Sequence, residues 1–274
     1  MAKIGILFQA KTAADELAHE LEKVLSQLGA SVWLCPIWDE EKAKELIVGT
    51  EKILSLGGDG TMLRVARLAA PRAIPILGIN LGNLGFAAEL QGREALDRIS
   101  DILSGKGWID ERTMLQVEAP QTSAASLHAL NDVVISRSTI SHIIRIKAFI
   151  DGSFLTTYRV DGVIVATATG STGYSLAVGG PILYPQAKEI LLTPISPHLT
   201  LTKALVLPAE AIIELVVQTE HEARLSIDGQ AEFTLHNGDV VKVKRSPYTT
   251  RLLRFQPPSF FYQTLLQKLS SRPE

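Results

Sequence analysis

Lys52-Ile53-Leu54-Ser55-Leu56-Gly57-Gly58-Asp59-Gly60-Thr61 turns a short apolar run into the start of an amphipathic segment. Read as strand, glycine turn and helix, it places a ligand-accessible loop where open α/β folds bind their ligands, at the carboxyl end of a strand. The flanking sequence keeps this rhythm. Downstream come a helix over Thr61–Ala70 and a strand over Ile74–Ile79, then a helix marked by Leu96, Ile99, Ile102 and Leu103 that ends near Gly105 and Gly107. Upstream, Lys3–Phe8 reads as a first strand. Leu17, Leu21, Val24, Leu25 and Leu28 recur on one helical face, with Gly29 at its C-terminal end. Ser31–Cys35 is a strand stopped by Pro36, and Asp39–Val48 a short charged helix. Strands alternating with helices predict a mostly parallel sheet with helices on its faces.

After about residue 115 the period changes to two. Ile144–Lys147 alternates, and Asp151-Gly152 supplies a hairpin turn before Phe154–Tyr158. Ala211–Thr219, Ala223–Ile227, Phe233–Leu235 and Val240–Lys244 continue the pattern, with turns at Asp228-Gly229 and Asn237-Gly238-Asp239. Pro120–Ser126 reads as a loose loop and Phe260–Leu269 as a final helix. The expected fold class is α/β plus all-β. An N-terminal Rossmann-like α/β domain (residues 1–115, completed by 250–274) is joined to a C-terminal β-sandwich domain (116–249).

The chain has 274 residues, 46% hydrophobic and 20% charged, which excludes a disordered or collagen-like chain and is long enough for two cores. A formal net charge of −2 supplies no basic field for nucleic acid. The one cysteine, Cys35, allows no intrachain disulfide and no Cys-based zinc site. No apolar stretch approaches the ~18 residues of a membrane span, and Met1–Ile4 leads straight into a strand with no signal peptide ahead of it. The expectation is a cytoplasmic protein with neither nucleic-acid nor membrane partners.

The chemistry-bearing residues follow from the loops. Three glycines let backbone amides of Gly57, Gly58 and Gly60 approach phosphate, and the helix opening at Thr61 adds its dipole. The loop lacks the lysine and hydroxyl of a Walker A motif and the spacing of a dinucleotide-binding loop. Asp59 has two readings: an N-cap, or a carboxylate that orients an attacking hydroxyl beside phosphates and accepts its proton. Arg64 and Arg67, one and two turns on, face either phosphate or solvent. Asn131-Asp132 heads a strand and offers an amide edge to an adenine. Asp161–Ser175 runs from an apolar strand into a hydroxyl-rich loop ending in Tyr174, followed by Gly179-Gly180-Pro181. The six histidines show no metal-ligand spacing, so no protein-ligated metal is expected. Ser171 lacks the surroundings of a hydrolase nucleophile.

Together Gly57–Gly60, Asn131-Asp132, Thr169–Ser175 and Gly179–Pro181, with Asn80–Phe86 and Asp228–Gln230, resemble the NAD kinase family over roughly residues 50–235. The first motif is shared with diacylglycerol, sphingosine and phosphofructokinases. The Asn-Asp pair and the hydroxyl-rich segment narrow it. The resemblance implies ATP-dependent phosphorylation of the adenosine-ribose 2′-hydroxyl of NAD, with a divalent cation, Mg²⁺ by preference. It implies Asp59 as base, and Gly57, Gly58, Gly60 and Thr61 on the phosphates. It puts Asn131, Asp132, Thr172 and Tyr174 on adenosine, and Asp161 on the nicotinamide amide. Arg159 stands where a cation favours NAD over NADH, and Arg64, His142, Ala177 and Gln230 complete the expected NAD contacts. Ala168, Gly173 and Ala177 depart from the residues usual in the family, and Ala177 lacks a hydroxyl for the ribose. Homodimers or homotetramers are implied. Two alternatives stand beside this reading: a lipid kinase of the diacylglycerol or sphingosine type, and a non-catalytic NAD(P)-binding sensor.

Overall fold

Ile4, Ile6, Leu7, Ile53, Leu54 and Leu56 are wholly buried, as continuous apolar strands covered on both faces must be. The computed structural model describes residues 1–10, 12–82, 88–120, 127–139, 142–198 and 201–270, and divides the chain into two compact units, Met1–Glu111 with Thr250–Glu274, and Arg112–Thr249.

The first unit begins with β1 (Lys3–Phe8), α1 (Thr12–Gln27), β2 (Ser31–Pro36), α2 (Glu40–Leu46), β3 (Lys52–Leu56), α3 (Asp59–Ala69) and β4 (Ile76–Asn80). Then follow β5 (Leu90–Gln91), α4 (Glu94–Asp97) and α5 (Ile99–Ser104). β1 pairs in parallel with β2 and β3, and β3 with β4 (Ile6↔Leu54, Leu54↔Leu77). α1 lays Leu17, Leu21 and Leu25 into the core with Ile4, Ile6 and Leu54. Asp39 caps α2 by accepting from the Lys42 amide at 3.3 Å. β4 starts at Ile76, two residues after the expected Ile74, because the 3₁₀ turn Ala70–Arg72 and Pro75 occupy its approach. The helix expected around Leu96–Leu103 is two short pieces meeting at Arg98 and closed by Gly105 in the left-handed conformation (φ 71°).

The second unit is all β apart from short turns of helix. Its strands are β6 (Trp108–Glu118, entering from the first unit), β7 (Leu127–Ala129), β8 (Asp132–Arg137), β9 (Ile144–Ile150), β10 (Ser153–Val160) and β11 (Gly162–Ala166). After α6 (Tyr174–Ala177) come β12 (Ile190–Ile195), β13 (Leu205–Leu207), β14 (Ile213–Gln218), β15 (Ala223–Ile227), β16 (Ala231–Leu235) and β17 (Val240–Arg254). One antiparallel sheet has the order β13-β12-β11-β8-β15-β16. The other runs β10-β9-β14 to the first half of β17. Val133, Ile135, Val163 and Leu192 from the first sheet pack with Ile146, Tyr158, Leu215 and Val243 from the second, which makes the unit a sandwich. The Asp151-Gly152 turn closes the β9–β10 hairpin with both residues at positive φ (51° and 77°).

The last strand residues return to the first unit, where Leu252 pairs in parallel with Ile76, and α7 (Phe260–Ser270) follows. Arg254 is buried there between two carboxylates. Its Nη1 lies 3.3 Å from Glu89 Oε2 and its Nε 3.3 Å from Asp110 Oδ2. Glu89 Oε1 accepts from the amides of Phe255 and Gln256 at 2.7 Å each. Each charge is therefore paired and hydrogen-bonded, as burial demands. The expected loop Pro120–Ser126 lies outside the described residues beyond Pro120.

Candidate active site

Gly57 is the residue that the turn after β3 cannot replace. Its φ is +154°, and a Cβ built on it would collide with Thr61 Oγ1. Its amide donates to Ile79 O at 3.0 Å, so the turn is held to β4 while doubling back into α3. Gly57→Ala is expected to cost about 1–3 kcal/mol through strain and the displaced Thr61; a denaturant midpoint equal to the parent's would contradict it. Gly58, in extended backbone, is the cap of α3, and its carbonyl accepts from Thr61 and Met62 at 3.0 and 3.2 Å. Asp59 is thus the first residue inside the helix, two residues ahead of the expected start. The N-cap reading of Asp59 falls, because the chain reaches helical geometry one residue too early. Gly58, Asp59 and Gly60 are exposed while Thr61 is buried. Arg64 lays its guanidinium over the Trp38 ring, 4.7 Å from the centroid, a cation–π contact within this unit. Of the resembling segment Asn80–Phe86, Asn80 is buried and its Oδ1 accepts from the Gly82 amide at 3.1 Å; residues 83–86 lie outside the described set.

In the second unit a cavity of about 360 Å³ is lined by Asn131, Asp132, Val134, Ser136, Tyr174, Ser226, Asp228 and Gly229. Three residues expected at the site, Asn131, Asp132 and Tyr174, therefore share one hollow. The element that builds it is the turn after β15. Asp228, at φ 52° in the left-handed region that Asp tolerates, turns its carboxylate back onto β8. Oδ2 accepts from the Leu130 amide at 2.9 Å, and Oδ1 from those of Asn131 and Asp132 at 2.8 and 3.1 Å. The Asp228 amide returns a bond to Asp132 O at 2.9 Å. Asn131 is clamped from the other side. Its carbonyl accepts from Thr167 N at 2.9 Å, and Gly170 packs so close that a Cβ there would collide with that carbonyl. Asp132 is only 8% exposed and has no side-chain hydrogen-bond partner among the described residues. Burial, reinforced by the neighbouring Asp228 charge, pushes its carboxyl up to about 7.

The hydroxyl-rich loop behaves differently from its sequence reading. Ser171 Oγ donates to Ala168 O at 2.6 Å and accepts from Leu183 N at 3.0 Å, and Ser175 Oγ lies 3.1 Å from Thr193 Oγ1. Thr172 Oγ1 donates to Thr169 O at 3.2 Å. These hydroxyls brace the loop itself. What the loop presents outward is the Tyr174 ring, 46% exposed at the start of α6, with Ala177 exposed at its end. Gly180 permits the fold-back, since a Cβ there would strike Ser175 Oγ.

The remaining expected residues stand outside the cavity lining. Asp161, in the turn between β10 and β11, is paired with Arg137 at 3.1 Å (Nε–Oδ1), and its carbonyl accepts from the Arg137 amide at 2.9 Å. Arg159 is exposed on β10, directly opposite exposed Arg145 of β9. His142 is exposed and its ring lies against that of His221, tilted by 40° with centroids 4.1 Å apart. Gln230 donates its amide to Ile227 O at 3.0 Å in the turn that carries Asp228. Sequence reasoning passed over two participants. Asp228 was seen as part of a turn signal and of a segment resembling the family, without a role of its own, and Arg137 not at all. No group of three or more metal-ligating side chains occurs among the described residues.

A model of the ATP-NAD kinase N-terminal domain matches residues 4–106, and one of the ATP-NAD kinase C-terminal domain matches 130–255. An NAD kinase of Dehalococcoides mccartyi is 42% identical over 276 residues, covering 99% of this chain and 97% of that protein. This chain belongs to the NAD kinase family. The family's two-domain fold is also that of yeast NADH kinase, solved in complex with NADH (TM-score 0.87, 27% identity, 100% of this chain and 89% of that one). An Archaeoglobus fulgidus NAD kinase solved with ATP shares the fold at a TM-score of 0.78 and 24% identity, over 98% and 99% of the two chains. Neither a lipid kinase nor a sensor without catalysis is supported by these matches. No helix among the described residues is long and apolar enough to cross a membrane.

Proposed function

We propose that this member of the NAD kinase family transfers the γ-phosphoryl group of ATP to the 2′-hydroxyl of the adenosine ribose of NAD, yielding NADP and ADP. The observation that carries the reading is Asp59, exposed at the first position of α3 behind a turn that Gly57 alone can form. There the amides of Gly58 and Gly60 and the helix N-terminus attract the phosphates. Asp59 orients the 2′-hydroxyl and accepts its proton as the new O–P bond forms and the β,γ-bridging bond breaks. Phosphoryl transfer has a loose transition state, so positioning contributes more than prior deprotonation.

Asn131 reads the adenosine by its amide, Tyr174 offers its ring face to the base, and Asp132 contacts the nucleoside; Thr172, Ala177 and Gln230 support these contacts. Asp161 receives the nicotinamide amide, and Arg159 biases the enzyme toward NAD over NADH. Asp161 is not independent: Arg137 holds its carboxylate. Arg137→Gln is expected to raise KM for NAD about fivefold, the equivalent of ~1 kcal/mol, with kcat nearly unchanged and partial rescue in Arg137→Lys. Equal losses in kcat and kcat/KM would instead place Arg137 at the reacting atoms.

The donor set suits Mg²⁺ carried on nucleotide phosphates, with Asp59 as the carboxylate able to share it, since such sites use one or two carboxylates plus phosphate oxygens. The cation would neutralise charge on the transferring phosphoryl group. A cytoplasmic homodimer or homotetramer completes the reading. The test is a coupled assay of NADP formation by the purified chain with ATP and Mg²⁺, NAD against NADH as acceptor and diacylglycerol as control. NADP formed from NAD, with no labelled lipid, is the expected result; nucleotide binding without NADP overturns the assignment.

A further inference from the structure

The second unit's cavity holds two carboxyl groups with unequal surroundings. Asp228 is the acceptor of three backbone amides, a setting that stabilises its ionised form. Asp132, the neighbour of Asp228 across the β8–β15 pairing, has nothing of the kind. It is nine-tenths buried, faces the cavity, and lacks any hydrogen-bond donor among the described residues. Among the described residues no cation stands near enough to compensate. On β11 the strand Gly162–Ala166 carries no titratable side chain. On β15 Arg224 is turned to Glu232 at 3.7 Å, and further along β8 Arg137 is turned to Asp161. The other titratable group on the cavity wall is the Tyr174 phenol. A carboxylate so placed would be a second negative charge beside a fixed one, without a partner.

We propose that Asp132 recognises the nucleoside as an uncharged carboxylic acid, donating its proton to an acceptor atom of the adenosine beside the Asn131 amide. The inference deepens the functional reading above and rests on it. It makes Asp132 a hydrogen-bond donor, which a carboxylate beside a sugar hydroxyl is not. It also makes nucleotide recognition depend on pH through this one group. Asn131 then contributes both a donor and an acceptor, Asp132 a donor, and Asp228 the charge that keeps Asp132 protonated. The proton is held in the free protein below neutrality, and above it must be taken from solvent when the ligand binds.

The experiment is calorimetry of NAD binding, without ATP, in pairs of buffers of different ionisation enthalpy at pH 6 and pH 8.5. The parent is expected to take up close to one proton per NAD at pH 8.5 and much less at pH 6, with affinity falling about thirtyfold between them. Asp132→Asn, which carries a permanent donor at the same position, should bind with no proton uptake attributable to this site and with little dependence on pH. The protein without ligand supplies a second readout. Because the folded carboxyl titrates above its unfolded value of 3.8, its stabilising effect is present at low pH and lost as pH rises through about 7. The melting temperature of Asp132→Asn relative to the parent should therefore rise from pH 6 to pH 8.5. NAD binding by the parent with no proton uptake and unchanged affinity overturns the inference and leaves the kinase reading standing. Failure to bind NAD at either pH overturns both. A variant that binds NAD with the parent's pH dependence shows that another group titrates, and also overturns it.

Discussion

Asp59→Asn is expected to lower kcat for NADP formation by about 10²–10⁴-fold while changing the affinity for NAD by no more than several-fold. The two halves of this expectation come from one geometry. Asp59 is not the cap of α3; Gly58 is, and asparagine matches aspartate in size and shape, so amidation is expected to leave the turn intact. Asparagine keeps the shape and a carbonyl oxygen but cannot receive the proton as the ester forms. Rapid-equilibrium binding of NAD together with steady-state turnover separates the effects. Turnover within a few-fold of the parent would remove Asp59 from the chemistry. A large loss of NAD affinity would instead make it a binding group.

Asp228→Ala is expected to destabilise the second unit by about 3–5 kcal/mol, because the amides of Leu130, Asn131 and Asp132, the first and last of them buried, lose a charged acceptor at once. At about 2–4 °C per kcal/mol this lowers the melting temperature by roughly 10 °C. Two further effects act in opposite directions. Alanine tolerates the left-handed backbone at φ 52° less well than aspartate, and removing the charge relieves the Asp132 carboxyl. Asp228→Asn keeps an acceptor oxygen and should lose about half as much. A melting temperature for Asp228→Ala within about 1 °C of the parent would mean that the turn after β15 does not hold the Asn131-Asp132 segment. NAD affinity should fall along with stability, since Asn131 and Asp132 are placed by the same three bonds.

Periodicity exposed both halves of the architecture for a physical reason. Strands covered on both faces read as near-continuous apolar runs, as in Ile53–Leu56, where Ser55 is the one polar residue. Strands of a sandwich alternate, as in Ile144–Lys147. The same reasoning missed β6. Its buried positions include Asp110 and Arg112, which no hydropathy pattern assigns to a core. Both are satisfied by distant partners, Asp110 by Arg254 and Arg112 by Thr169 Oγ1 at 3.3 Å. The hydroxyl-rich loop was found by composition, yet its serines turned inward. Composition says that a loop can form many hydrogen bonds and leaves open whether the partners are ligand atoms or its own backbone.

The chain's local chemistry alone determined that a glycine turn carries Asp59 from a strand into a helix; that Asn131-Asp132 and Tyr174 serve one ligand was implied by the family resemblance. Backbone conformation and strand period act over neighbouring residues, so they can be read without the fold. Only the tertiary structure decided that Asp228, 96 residues beyond Asp132, would anchor that segment, and that Arg137 would hold Asp161. Those pairings depend on antiparallel register, Ile227 against Val133 and Gly162 against Ser136. Register is set by how two whole sheets bury their inner faces, a sum over the core that no single stretch of sequence contains.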